Sequence, residues 1–233
     1  ALRGSAAGSA AAACGHLPQR AAEIHRHMCS ARAAVVTGAA CSGKSATLDA
    51  LAAASGRVSR LGPLQLVRLY PAALEHDDLC GGGLPGHPVT SPWPGGFLPT
   101  VLREVLEQPE VVSSSPEGGA ALEESPRRLV VFDAEVDSGG WADELTTVLS
   151  PGERELHLTG GERLLIPPSV AFAFETRSLS AASPAFCARC ALCPLEGLVQ
   201  AADLVGAFSA RLAGSSWLGR EHAPALAAWA SKR

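Results

Sequence analysis

One short turn constrains this chain more than anything else in it: Gly38-Ala39-Ala40-Cys41-Ser42-Gly43-Lys44-Ser45, set between two unlike segments. Upstream, Val35-Val36-Thr37 reads as a short buried strand. Downstream, Ala46 to Ala54 is rich in strong helix formers and stops at Ser55-Gly56. Strand, glycine turn and helix form the setting in which the pattern Gly-x4-Gly-Lys-Ser has a physical task. The glycines let backbone N–H groups close around phosphates, and Lys44 reaches the β and γ phosphates. Ser45 offers a hydroxyl to Mg²⁺, and the helix N-terminus adds its dipole. Gly38, Ala39, Ala40, Cys41, Ser42, Gly43, Lys44 and Ser45 are therefore the candidate site for ATP and Mg²⁺, against the alternative of a glycine turn without a ligand. The chain has only two lysines, Lys44 and Lys232, and one stands where a point cation is needed.

Such a loop needs an acid about one strand away. Leu129-Val130-Val131-Phe132 is an apolar run ending at Asp133, as expected of a central parallel strand that delivers a carboxylate at its C-terminal edge. Asp133 is the candidate partner of Ser45 in holding Mg²⁺ and its water shell. Val170 to Phe174 reads as another buried strand, ending at Glu175, which is either a polar sensor beside the γ-phosphate or a loop carboxylate. Leu64 to Leu69 is a further strand, and Leu156 to Ile166 a hairpin turning at Gly160-Gly161. Helices are expected over Pro18–Cys29, Pro99–Gln108 and Trp141–Leu149, and helical spacing returns from Leu195 to Arg211 and around Leu226 and Trp229. Gly81 to Gly96 is a loop, and Glu110 to Arg128 a polar insertion. Strands alternating with helices imply an α/β fold: a P-loop module with a parallel sheet flanked by helices and a small helical C-terminal part.

A net charge of -4 over 233 residues argues against binding the phosphate backbone of a nucleic acid. No apolar run approaches the roughly 18 to 20 residues of a membrane-spanning helix. The seven cysteines are too sparse for a disulfide scaffold and point to a reducing compartment. Cys187, Cys190 and Cys193 have a spacing at which thiolates can share a metal, but no fourth cysteine follows and no metal is expected there. His25 and His27 read as a solvated helix edge, and Trp141, Trp217 and Trp229 as packing residues. Residues 1 to 22, poor in acids, fit either a presequence or a linker, the latter in a piece cut from a longer chain. The expected organisation is a linker and leading helix over 1–26, the nucleotide-binding domain over 27–194 and a helical extension over 195–233.

Several motifs then fall in a telling order: Phe132-Asp133-Ala134-Glu135-Val136-Asp137, Trp141, Thr147-Val148-Leu149, Gly161-Glu162-Arg163-Leu164, Pro167-Pro168, Phe174-Glu175, and Ser183-Pro184-Ala185 with Ala188-Arg189-Cys190. From about His27 to Cys193 the chain resembles the dynein heavy chain, and the second AAA+ module of its motor ring best. Its departures include Ala134 for a glycine, Trp141 one residue late, Ser150-Pro151-Gly152-Glu153 for Asp-Asp-Asn-Lys and Phe186-Cys187-Ala188 for Thr-Val-Ser. Hydrolysing AAA+ members carry a water-polarising glutamate directly after the strand-end aspartate. Here that position holds Ala134, and Glu135 comes one residue too late.

The resemblance implies an ATP-binding, non-hydrolysing module whose parent chain drives minus-end-directed movement along microtubules. It implies Arg189 as an arginine finger toward the nucleotide of the adjacent module, with a plain surface arginine as the alternative. It further implies partners in adjacent AAA+ modules, dynein intermediate and light chains and microtubules, with no nucleic acid and no membrane, and a place in the cytoplasm and cytoskeleton, the ciliary axoneme above all. Competing expectations are a non-motor ciliary scaffold with a decayed pocket and, more weakly, a small P-loop kinase.

Overall fold

Apolar strand residues that alternate onto two faces need a cover on each, and the chain supplies both. The computed structural model describes residues 17–57, 63–81, 95–107, 127–137, 140–150, 152–158 and 163–195. Five strands, β1 (Ala33–Thr37), β2 (Gln65–Leu69), β3 (Arg128–Asp133), β6 (Val170–Thr176) and β7 (Ala191–Pro194), form one parallel sheet in the order β2-β3-β6-β1-β7. β4 (Glu155–His157) and β5 (Arg163–Leu165) pair antiparallel as the expected hairpin, with Leu156 opposite Leu164. The residues of its turn lie outside the described ones.

On one face, helices α1 (Leu17–Ala31) and α2 (Lys44–Ser55) bury Ala21, Ile24, Met28, Leu48 and Leu51 against Ala34, Val36, Val131 and Ala173. α1 spans residues on both sides of the boundary expected between 26 and 27. The other face is covered by α3 (His76–Cys80), α4 (Phe97–Glu107), α5 (Trp141–Glu144), α6 (Thr146–Leu149), α7 (Pro184–Arg189) and the hairpin. There Phe132, Phe172 and Phe174 line up on neighbouring strands, and Phe186 meets Phe174 edge-on at 4.8 Å between ring centroids. Such aromatic pairs add about 0.5–1.5 kcal/mol each beyond the area they bury.

Three details differ from the sequence expectation. The single helix over Trp141–Leu149 is two short ones meeting at Leu145. Glu175 is not past the end of its strand but inside it, in register with Asp133 on one side and Val36 on the other. The stretch after Arg189 adds an edge strand, β7, beside β1. The helical extension over 195–233 and the insertion over Glu110–Arg128 fall almost wholly outside the described residues, as does most of the Gly81–Gly96 loop. Among the described residues no helix is long and apolar enough to cross a membrane.

Candidate functional site

β1 is flanked by β6 and β7, while the chain returns to the sheet at its far edge as β2, so the order reverses at β1. In open parallel sheets ligands bind at the carboxyl end of such a switch point. The loop Gly38–Ser45 leaves β1 there. Gly43 takes a φ of 91° and caps α2, and Cys41 also turns left-handed at 62°. A Cβ at Gly38 would stand 2.5 Å from the Ser42 hydroxyl, so this close approach requires glycine. The buried Ser42 Oγ itself has no hydrogen-bond partner.

Lys44 curls over the loop, its Nζ donating to the carbonyls of Gly38 at 2.7 Å and Ala39 at 2.9 Å. The Ser45 hydroxyl donates to Oε2 of Glu175, a carboxylate only 1% exposed. Asp133 stands in register with Glu175 at the open end of β3, exposed where Glu175 is buried. Parallel neighbours in register share a face. The sheet thus gathers Lys44, Ser45, Asp133 and Glu175 at one edge, on the side covered by α2. Hard oxygen donors from the Ser45 hydroxyl and the exposed Asp133 carboxylate suit Mg²⁺, and the unpartnered Ser42 hydroxyl and the glycine turn suit a phosphate cradle.

Sequence reasoning missed Arg68. Its Nη1 donates to Glu175 Oε1 at 2.6 Å, and its Nη2 to Asp49 Oδ1 at 2.8 Å and to the Ser45 carbonyl at 3.4 Å. Desolvation works against its charge, but the bonds to Asp49 and Glu175 outweigh it and raise its pKa above the usual value. The signal in the sequence was a cation flanked by Leu66, Val67 and Leu69 in a strand; its partners lie too far along the chain to be read.

Glu135 accepts from Thr176 Oγ1 at 2.9 Å and from Arg177 Nε. Partial burial opposes its charge, yet these bonds prevail and hold its carboxyl below the ordinary value. Arg189 is not brought to the loop. It sits just before β7, at the amino end of the strand beside β1 and away from the loop, with Nε donating to Ser150 Oγ and Nη1 to the Ala185 carbonyl, both at 2.7 Å. Cys190 belongs to one core cluster and Cys193 to the cluster on the opposite face, so the three nearby sulfurs do not converge. Among the described residues no group of three His, Cys, Asp or Glu side chains is placed to hold a metal.

A five-stranded parallel sheet with helices on both faces and this strand–loop–helix at its switch point defines a P-loop α/β module of the AAA+ kind. The chain belongs with the dynein heavy chains, which are its homologues. It is 29% identical over 173 residues to human cytoplasmic dynein 2 heavy chain 1, a match covering 73% of this chain and 4% of that protein. Mouse dynein axonemal heavy chain 12 is 36% identical over 110 residues, 47% of this chain and 3% of the relative. A cytoplasmic dynein heavy chain of Paramecium tetraurelia is 31% identical over 122 residues, 52% and 2% of the respective lengths. The chain thus spans only a few per cent of these relatives. No protein-family model matches it.

Proposed function

We propose that the chain is a nucleotide-holding AAA+ module, the second of the ring in a dynein-type heavy chain, that binds ATP with Mg²⁺ and turns it over little or not at all. The observation carrying this reading is the convergence of Lys44, Ser45, Asp133 and Glu175 at the carboxyl ends of β1, β3 and β6. Backbone amides from Gly38 to Ser45 would close on the phosphates, with Lys44 as the point cation. Ser45 and Asp133 would hold Mg²⁺, which would supply positive charge against the phosphates. Glu175 accepts a hydrogen bond from the Ser45 hydroxyl, whose oxygen lone pairs would remain for the metal.

Against turnover stands the lack of a free base beside the loop among the described residues. Ala134 offers a methyl group where a carboxylate is needed, Glu135 is committed to Arg177 and Thr176, and both oxygens of Glu175 are taken by Arg68 and Ser45. A general base must reach the attacking water and accept its proton. In the intact chain, residues 27–194 would form the module and 195–233 its helical extension, with Arg189 serving the nucleotide of the neighbouring module. The parent chain would move along microtubules with intermediate and light chains, in the cytoplasmic and ciliary cytoskeleton. The relatives named for cytoplasmic dynein 2 and for axonemal dynein support that setting.

Cys41, exposed at the tip of the loop, reports on occupancy. Mg·ATP should slow its alkylation at least about tenfold in the wild type and not in Lys44→Ala. Equal alkylation with and without Mg·ATP in the folded wild type would favour the scaffold with a decayed pocket.

A further inference from the structure

At the end of the sheet opposite the P-loop, a cleft of about 560 Å³ opens between the C-terminus of α1, the start of β6 and the segment before the hairpin. Arg32, ahead of β1, holds a left-handed backbone with φ of 53°, a strained setting for a side chain of this size. Its Nη1 donates to the Ile166 carbonyl at 3.3 Å, and the Ile166 amide donates to the Arg154 carbonyl at 2.7 Å. Both arginines line the cleft, and among the described residues no aspartate or glutamate does. Burial first, then the charge of Arg154, pull the Arg32 pKa below its usual value.

Two guanidinium-bearing side chains on the rim of one hollow, Arg32 half-buried and Arg154 exposed, repel each other, and an oxyanion is the ligand that reverses the sign of that interaction. The walls decide what carries it. Met28, Leu149, Pro168 and Val170 supply apolar surface, in a volume within the roughly 300–1,000 Å³ of small-molecule sites. We propose that this cleft is a second ligand site that takes an organic phosphate, the phosphate lying between Arg32 and Arg154 and the organic body against the apolar wall. It is separate from the P-loop: the five residues of β1 lie between them, about 17 Å at roughly 3.3 Å per residue.

The test is a calorimetric titration of AMP, and of inorganic pyrophosphate, into the chain carrying Lys44→Ala, which removes the P-loop cation. AMP should bind this protein, more tightly than pyrophosphate, and less tightly as salt rises. Adding Arg154→Gln or Arg32→Gly should weaken AMP at least about tenfold, the loss of one charge-assisted contact. Arg154 is exposed, and glycine accepts the left-handed backbone at 32, so both variants keep the fold. Arg154→Gln alone should melt no earlier than wild type, because it relieves repulsion. Absence of AMP binding to the Lys44→Ala chain, or AMP binding that neither substitution changes, would overturn the site. Pyrophosphate binding as tightly as AMP would overturn the organic part of the assignment.

Discussion

Arg68 on β2 and Glu175 on β6 are joined across the intervening strand β3, Nη1 lying 2.6 Å from Oε1. The same guanidinium reaches Asp49 on α2, so one side chain ties the helix behind the P-loop to two strands of the sheet. Glu175 is 1% exposed and Arg68 22%. Removing one partner of a buried pair costs about 3–5 kcal/mol, because the other charge is left uncompensated. Arg68→Met should therefore destabilise the chain by about 3 kcal/mol in urea unfolding, and Arg68→Lys by clearly less. Equal and small losses for both would show that the pair holds nothing together.

Alkaline pH should weaken the fold through its buried thiols. Burial, aided by Glu144 and Asp77, pushes Cys80 up from 9.0 to about 12. Burial, with Cys187 adding and Arg189 opposing, takes Cys190 to about 12 as well. A pKa raised on folding contributes stability that is complete below the unfolded value near 9 and is lost as pH climbs toward 12. At about pH 10 each such thiol withdraws about 1.4 kcal/mol. Urea unfolding at about pH 7.5 and about pH 10 should show a smaller alkaline loss in Cys80→Ala than in wild type, by about 1 kcal/mol.

Phe174 is the hinge of the aromatic cluster, stacked on Phe132 at 5.1 Å, near Trp141 at 6.0 Å and edge-on to Phe186. It is fully buried. Phe174→Ala should cost about 3–5 kcal/mol, the range for emptying such a position, and should change the Trp141 environment seen in fluorescence. A loss below about 1 kcal/mol would mean the core closes around the gap.

What was legible in the sequence follows the range of the interactions behind it. The Gly38–Ser45 turn carries its own geometry, and the strand ending at Asp133 and the hairpin pairing Leu156 with Leu164 show in local apolar runs and glycines. The parallel sheet followed from the alternation of strands and helices. Arg68 was not legible, because its meaning lies in Glu175, far along the chain, and in the register that places both on one face. β7 was hidden for a similar reason. Cys187, Cys190 and Cys193 drew a reading by spacing, whereas the backbone there is an edge strand completed by β1. The break at Leu145 has no glycine or proline to announce it.

Whether Lys44 and its loop hold Mg·ATP without turning it over is decided by calorimetry on wild type and Lys44→Ala with phosphate release followed in the same samples. Wild type should bind, Lys44→Ala should bind at least about a hundredfold more weakly, and neither should release phosphate above background. Steady phosphate release by wild type that Lys44→Ala abolishes would contradict the assignment of Ala134 as the missing base, and absence of binding by folded wild type would contradict the site itself.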